Sequence, residues 1–257
     1  MIIADKKKAI FIHIEKTGGR SITKLLTPYI LEQHRIKNPK MPGWGQTWHI
    51  NRQHAKFSES LPVLDRLNID PQEYFKLAIV RNPYSRLLSV WKNRYQSPMD
   101  VPETLINKLR FQFARYTGVR RIASQHFYQM YPDGSFKNFV LFIEHIVNNY
   151  LPSSAKRYLG AMDQYSYIEN DRGIEFDFIG KLETFNADIT AINNKLELTK
   201  SLEIPHLNNK DDKEKNQQKF LEFYDEESIA IVNKIFVRDF EAFGYQQLSQ
   251  STAILNS

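Results

Sequence analysis

The segment from His13 to Ser21 (HIEKTGGRS) combines two adjacent glycines with cationic and hydroxyl side chains. Glycines let a backbone approach a ligand closely, and a helix beginning behind them presents unpaired N–H groups and the positive end of its dipole. The Lys16 ammonium and the hydroxyls of Thr17 and Ser21 add donors. Such a loop is suited to phosphate or sulfate, although a plain tight turn with a solvated lysine is the alternative.

The order of residues in this loop differs from the Walker A pattern GxxxxGK[ST], in which the lysine follows the glycines. Here Lys16 precedes Gly18 and Gly19, and the loop is shorter. This order favours one terminal anionic group over a triphosphate.

A second anion pocket is predicted where the apolar segment 75–80 (FKLAIV) ends at Arg81. In an open α/β sheet, ligands bind beyond the carboxyl ends of the strands, so Arg81 should lie in the site. Arg86 and Ser89 are three residues apart on the following helix and share a face, which we expect to lie opposite the core. An arginine fork with a serine hydroxyl suits a phosphate, although either residue alone would be an ordinary surface residue.

Short apolar segments and helical patterns alternate along the chain. Strands are predicted over 9–14, 75–80 and 176–183. One helix is predicted to begin near Ser21, and another covers 84–95 after Asn82 and Pro83. Further helices are predicted over 103–116 and 138–151, from the end of the third strand to about 198, and from Asp225 to Phe243. Loops are predicted over 38–52 and, as a mobile surface loop, over 208–219. The pattern predicts an α/β fold, a central mostly parallel sheet flanked by helices, in a single domain over 1–257 with its core at about 9–245.

Composition excludes several classes of site. The 257 residues contain no cysteine, which rules out disulfides, a thiol nucleophile and cysteine-ligated metals. The net charge of +6 suits an anionic partner without requiring one, and no nucleic-acid module is recognisable. No apolar run reaches the roughly 18 residues of a membrane span. We therefore expect no membrane span and no nucleic-acid partner.

The two motifs resemble those of the carbohydrate sulfotransferases that use 3′-phosphoadenosine 5′-phosphosulfate (PAPS). These are the relatives of the chondroitin, dermatan and uronyl 2-O-sulfotransferases, and they include bacterial members. FIHIEKTGGRSI is similar to F-x-H-x-P-K-T-G-G-T-S-[IF], and AIVRNPYSRLLSVWKN to V-R-[ND]-P-x-x-R-L-x-S-x-Y. Segments 177–183 (DFIGKLE) and 239–245 (DFEAFGY) agree more weakly, so the resemblance spans about 9–245. Glu15 replaces the family's proline and could pair with Lys16 or Arg20, or face solvent.

The resemblance implies a P-loop-like sulfotransferase fold and a set of donor-binding residues. The residues implied for the 5′-phosphosulfate are Lys16, Thr17, Gly18, Gly19, Arg20 and Ser21. Arg81 and Ser89 are implied for the 3′-phosphate, so the two pockets match the two anionic groups of PAPS. The product would be 3′-phosphoadenosine 5′-phosphate (PAP), with Lys16 stabilising the leaving oxygen and no metal required.

Seven histidines are candidates for the base that takes the acceptor proton. His49 and His54 fall between the two motifs, where the uronyl 2-O-sulfotransferases carry their catalytic histidine. His54 fits best because a helix-like stretch follows it, and His49 is the alternative. His13 is expected to pack. Trp44 and Trp48 are predicted either to stack on a sugar ring or to pin their loop.

The expected function is sulfuryl transfer from PAPS to a hydroxyl of a carbohydrate, a glycan or polysaccharide that could be acidic, by in-line displacement. The alternatives are an ATP-dependent phosphotransferase and a non-enzymatic polyanion-binding module. The resemblance also implies a homo-oligomer, because relatives form dimers or trimers. The expected location is a bacterial cytoplasm, or else the chain is a soluble catalytic domain trimmed of a membrane anchor.

Overall fold

A computed structural model describes residues 1–31, 54–95, 126–149, 160–199 and 220–249. The chain forms two compact units, which are described separately below. The first unit comprises Met1–Asn82 and Gln164–Leu207, and the second comprises Pro83–Asp163 and Asn208–Ser257. The prediction of a single domain over 1–257 stays a prediction.

The helices and strands have the following bounds. The strands are β1 (Ile2–Ala4), β2 (Ala9–Ile12), β3 (Phe75–Val80) and β4 (Phe178–Lys181). The helices, in chain order, are α1 (Gly19–Leu26), α2 (Phe57–Arg66), α3 (Pro83–Arg94), α4 (Phe136–Asn148), α5 (Tyr165–Ile168), α6 (Phe185–Leu196), α7 (Glu226–Ile235) and α8 (Val237–Phe243).

The first unit contains a sheet in the order β1-β2-β3-β4. β1 is antiparallel to β2, whereas β2, β3 and β4 are mutually parallel. The register pairs Ile12 with Ala78 and Val80 with Lys181. The carboxyl ends of the three parallel strands therefore lie at one edge of the sheet. The predicted α/β class with a mostly parallel sheet is confirmed, and the edge strand β1 is an element that the sequence did not predict.

Both faces of the sheet are buried, as a parallel sheet requires. On one face, apolar residues of the strands pack with residues of α1 and α6, among them Phe11, Leu77, Ile79, Ile22, Leu25, Ile189 and Ile192. The strand residues of the other face, Ile10, Ile12, Ala78 and Val80, are fully buried as well. This core fixes the strand ends from which the functional loops leave.

An ion pair ties β3 to the segment that enters β4. The Lys76 ammonium lies 2.7 Å from Asp177 Oδ2, and the same carboxylate accepts the Lys76 main-chain N–H at 2.8 Å. Lys76 is buried and Asp177 is exposed, so the carboxylate neutralises an ammonium charge that would be costly to leave alone in the interior. Asp177 belongs to the third family-like segment, and its role here is to hold two strands in register.

The second unit is helical and has an aromatic core. α4 packs against α7, and the buried core includes Tyr84, Trp91, Phe136, Phe139, Tyr224 and Phe240. The prediction of one helix from Asp225 to Phe243 is wrong in one respect, because the helix is interrupted at Phe236 (φ −107°, ψ 24°). The apolar spacing misses this break because Phe236 and Phe240 remain buried on either side of the new helix start.

Most other predicted bounds agree within a few residues. β3 has the predicted range, α3 begins one residue early at Pro83, and α4 covers most of 138–151. β2 and β4 are shorter than the predicted 9–14 and 176–183, because the chain leaves the sheet where the loops of the site begin. The predicted segments 38–52, 103–116 and 208–219 lie outside the described residues.

Candidate functional site

The loop from β2 to α1 requires unusual backbone angles at two positions. Lys16 has φ of 66° and Gly18 has φ of 80°, both in the left-handed region. A Cβ atom on Gly18 would also lie 2.8 Å from Leu182 Cδ1, so both space and angle favour glycine there. For a lysine, this conformation costs about 1–2 kcal/mol, a strain of the kind that concentrates at functional sites. The sequence contains no signal for it.

Gly19 is needed for a different reason. It is the first residue of α1, and a Cβ atom on it would lie 2.0 Å from Cδ2 and 2.2 Å from Nε2 of His13. The His13 ring is buried and stacks on Phe11, with the ring centroids 5.6 Å apart. His13 therefore packs beneath the start of α1, in agreement with the packing role expected for it.

The hydroxyl residues of the loop differ in what they can offer. Thr17 is fully buried and its hydroxyl donates to the Ile14 carbonyl at 3.0 Å. In this structure the hydroxyl proton bonds the loop to its own strand end, and the donor role expected of this hydroxyl toward an anion stays a prediction. The main-chain N–H of Ser21 bonds the Gly18 carbonyl at 3.0 Å, while its side chain is partly exposed.

The loop that carries Lys16 and the strand end that carries Arg81 are neighbours in the first unit. Arg81 directly follows β3, and its Nη1 donates to the main-chain oxygen of Lys16 at 3.3 Å. Lys16 is half-buried, Arg81 is partly buried and Arg20 is exposed. The structure thus brings the lysine-bearing loop and the arginine-bearing strand end together within the first unit.

The cations of this site repel one another. The pKa of Lys16 is lowered from its ordinary value, first by burial and then by the charges of Arg81 and Arg20. A bound anion would relieve this repulsion and favour the charged ammonium. The electrostatics suit a ligand with concentrated negative charge.

Two residues that the motif analysis did not single out hold the main chain at Arg81. The Gln164 side chain accepts the Arg81 N–H and donates to the Arg81 carbonyl, both at 2.8 Å. Glu183 accepts the N–H of Asn82 at 2.8 Å. Glu183 lies in the third family-like segment, which was a signal that could have found it. Gln164 lies 83 residues from Arg81 and carries no local signal.

His54 lies against His13 in the first unit. Its Nδ1 is 2.8 Å from the His13 carbonyl oxygen, and the two rings meet edge to face with centroids 4.6 Å apart. Because a carbonyl oxygen can only accept, Nδ1 carries a proton, and in the neutral ring Nε2 is the basic nitrogen. Burial is the first cause that lowers the pKa of His13 well below its usual range, followed by the charge of His54. His49, Trp44 and Trp48 lie outside the described residues.

The remaining predicted anion ligands are in the second unit. Ser89 lies in α3 and is partly exposed. Arg86 is 1 % exposed and donates from Nη2 to the carbonyls of Met162 and Gly160 at 2.6 and 3.3 Å. The prediction of an outward-facing Arg86 is therefore wrong, since this face of α3 is also buried and its guanidinium lies over the Phe236 ring.

Glu15, which stands where the family motif has proline, is buried. Glu15 is 8 % exposed, so the alternative in which it faces solvent is wrong.

Within the residues that the structure describes, no group of three or more histidine, aspartate or glutamate side chains could hold a metal ion. None of the helices in the described ranges is long and apolar enough to cross a bilayer.

A comparison of the sequence with protein families assigns this α/β fold to a family. The pattern of the Sulfotransferase family matches residues 1–246, which cover almost the entire chain. The chain belongs to the sulfotransferase family, as the two motifs indicated.

The chain is also similar, at low identity, to a curated protein. The chain is 24 % identical over 220 residues to carbohydrate sulfotransferase 12 of Xenopus laevis. The alignment covers 80 % of this chain and 50 % of that protein, so the chain spans about half the length of the curated relative it matches. No solved structure matches the chain.

Proposed function

We propose that this protein transfers a sulfuryl group from PAPS to a hydroxyl of a carbohydrate. The observation that carries the proposal is the contact between Arg81 and the Lys16 carbonyl. It makes neighbours of the two proposed anion sites, the β2–α1 loop and the end of β3 at Arg81. One nucleotide with negative charge at both its 3′ and 5′ positions can then engage both. Membership of the sulfotransferase family supports the same donor.

The residues of the β2–α1 loop fit the 5′-phosphosulfate. Gly18 and Gly19 leave no side chain on the loop, and the amide groups at the start of α1 form an anion-binding helix end. Lys16, Arg20 and Ser21 would add side-chain donors, and Thr17 would contribute through its main-chain N–H. Side chains at the two glycine positions would occupy the space that this loop leaves open.

The residues proposed for the 3′-phosphate are Arg81 and Ser89. A guanidinium offers two parallel N–H donors to a phosphate, which a single ammonium does not. Each charged contact of this kind contributes about 1.5–3 kcal/mol. Arg81 therefore accounts for the choice of PAPS over nucleotides that lack a 3′-phosphate.

The reaction needs charge stabilisation and a base. PAPS, when bound, supplies a sulfuryl group whose bond to the phosphate oxygen breaks as a bond to the acceptor oxygen forms. Lys16 is the residue for the charge that develops on the leaving oxygen. His54 would take the acceptor's hydroxyl proton at Nε2, because Nδ1–H is held by the His13 carbonyl. His49 remains the alternative base.

The carbohydrate acceptor is proposed from the name of the Xenopus laevis relative and from the resemblance of the motifs. The net charge of +6 is compatible with an acidic glycan. A bacterial cytoplasmic location and a homo-oligomer, both part of the same proposal, stay predictions.

Transfer of labelled sulfate tests this proposal directly. The chain is incubated with PAPS carrying radioactive sulfate and a panel of desulfated polysaccharides, without metal. We expect label in at least one polysaccharide and none with Lys16→Ala. Label transfer from ATP carrying a radioactive γ-phosphate would instead favour the phosphotransferase, and polysaccharide binding without any transfer would favour the polyanion-binding module.

A further inference from the structure

Among the described residues, the strand pairing of β3 ends at Val80. The pairing of β3 with β2 ends at Ala78, and its pairing with β4 ends at Val80. Arg81 and Asn82 follow directly, and Arg81 is the residue whose guanidinium must point at the 3′-phosphate. Their main-chain groups need other partners, because a buried N–H or carbonyl without one is costly.

Gln164 supplies those partners for Arg81. Its side-chain oxygen accepts the Arg81 N–H and its amide nitrogen donates to the Arg81 carbonyl, both at 2.8 Å. A primary amide presents the same donor and acceptor pair as a peptide group, so this side chain acts as one further residue of a neighbouring strand. Gln164 is fully buried and directly precedes α5, whose backbone holds it in place.

Glu183 completes the arrangement on the next peptide. Its carboxylate accepts the Asn82 N–H at 2.8 Å, a charge-assisted bond from the segment that follows β4. Both main-chain groups of Arg81 and the following N–H are therefore bonded by side chains. Three successive main-chain groups therefore hold the backbone of Arg81, whose guanidinium also bonds the Lys16 carbonyl.

We propose that Gln164 and Glu183 are positioning residues that set the selectivity of the site for a 3′-phosphate by fixing Arg81. The inference rests on the proposed function, because it assumes that Arg81 binds that phosphate. A guanidinium fork recognises a phosphate only when its direction is fixed, so a loosened backbone at Arg81 should weaken recognition of this group. Recognition of the 5′ end, which relies on the β2–α1 loop, should be preserved.

The test compares two ligands that differ by this one group. Dissociation constants for PAP and for adenosine 5′-monophosphate are measured by calorimetry on the whole chain. The wild-type preference for PAP should be on the order of 10- to 100-fold, the range of one or more charged hydrogen bonds. Arg81→Ala should abolish most of this preference, and Gln164→Leu, which removes both amide bonds at similar volume, should do the same. Affinity for adenosine 5′-monophosphate should change less than about threefold.

Matched variants separate positioning from general packing. Ser60→Ala also removes a buried polar side chain of the first unit, one that bonds the Lys56 carbonyl, and should leave the preference unchanged. Glu183→Ala should reduce the preference, and Glu183→Gln, which keeps an oxygen for the Asn82 N–H, should restore it. If Gln164→Leu fails to fold, this Glu183 pair decides the question by the same ratio.

Two results would overturn the inference in distinguishable ways. An unchanged preference in Gln164→Leu and Glu183→Ala, with Arg81→Ala still losing it, would show that these residues only pack. A wild-type chain that binds neither PAP nor adenosine 5′-monophosphate would remove the proposed function itself, and the inference with it.

Discussion

The imidazole of His13 occupies the space that a side chain on Gly19 would need. A Cβ atom on Gly19 would lie 2.0 Å from His13 Cδ2, far inside van der Waals contact. The same histidine holds His54 through its carbonyl oxygen. The start of α1, the loop before it and the position of His54 therefore all depend on one buried residue, His13.

Gly19→Ala should destabilise the protein although alanine is the better helix former. Overpacking of this kind costs about 1–3 kcal/mol, and the shifted loop should bind PAP more weakly. His13→Ala makes room for the new methyl group, so the double variant should be less destabilised than the sum of the two single changes. Urea denaturation of the four proteins measures this coupling. Simple additivity would contradict the close approach of His13 and Gly19.

Replacing Lys16 should separate stability from activity. Alanine keeps the cost of a left-handed residue, whereas glycine relieves it but adds freedom to the unfolded chain. Lys16→Gly should therefore be about 0.5–1 kcal/mol more stable than Lys16→Ala, and both should lose sulfate transfer. Chemical denaturation of the two variants is the measurement. Equal stability, or a more stable alanine variant, would show that the Lys16 backbone is unstrained.

His54→Gln should remove turnover and keep donor binding. A positioned base contributes about 10²–10⁴-fold to the rate, so kcat should fall by that order while the Kd for PAP changes little. His145→Gln, in the exposed part of α4, is the matched control and should leave kcat as it is. A His54 variant with full turnover would move the base to His49 or to another group.

Stability should fall in mild acid because of His13. The folded pKa of His13 lies well below 6.5, so between these two values the unfolded chain binds a proton that the folded chain does not. The stabilisation is fully present above pH 6.5 and is lost as the pH falls towards the folded pKa. The loss approaches about 1.4 kcal/mol per pH unit. His13→Gln cannot titrate, so its stability should fall less than that of the wild type between pH 7 and 5. Parallel curves for the two proteins would show that His13 is not the group responsible.

The sequence predicted the parts of the site that are local in the chain. Strand β3, the turn at Arg81 and the helix starting at Pro83 follow from a short apolar run and a proline. It failed where long-range packing decides the outcome. Helical periodicity cannot tell that both flanks of α3 are covered, so the burial of Arg86 was missed. Gln164 reaches Arg81 only through the folded chain, and no pattern around it marks that contact.

Calorimetric titration of PAP into the protein without magnesium tests the central claim most directly. We expect PAP to bind and Arg81→Ala to weaken it at least about tenfold, the effect of one charged contact. ATP with magnesium should give no comparable binding. Binding of ATP–magnesium but not PAP, or PAP affinity that ignores Arg81, would contradict a nucleotide held at both its 3′ and 5′ ends by these two corners.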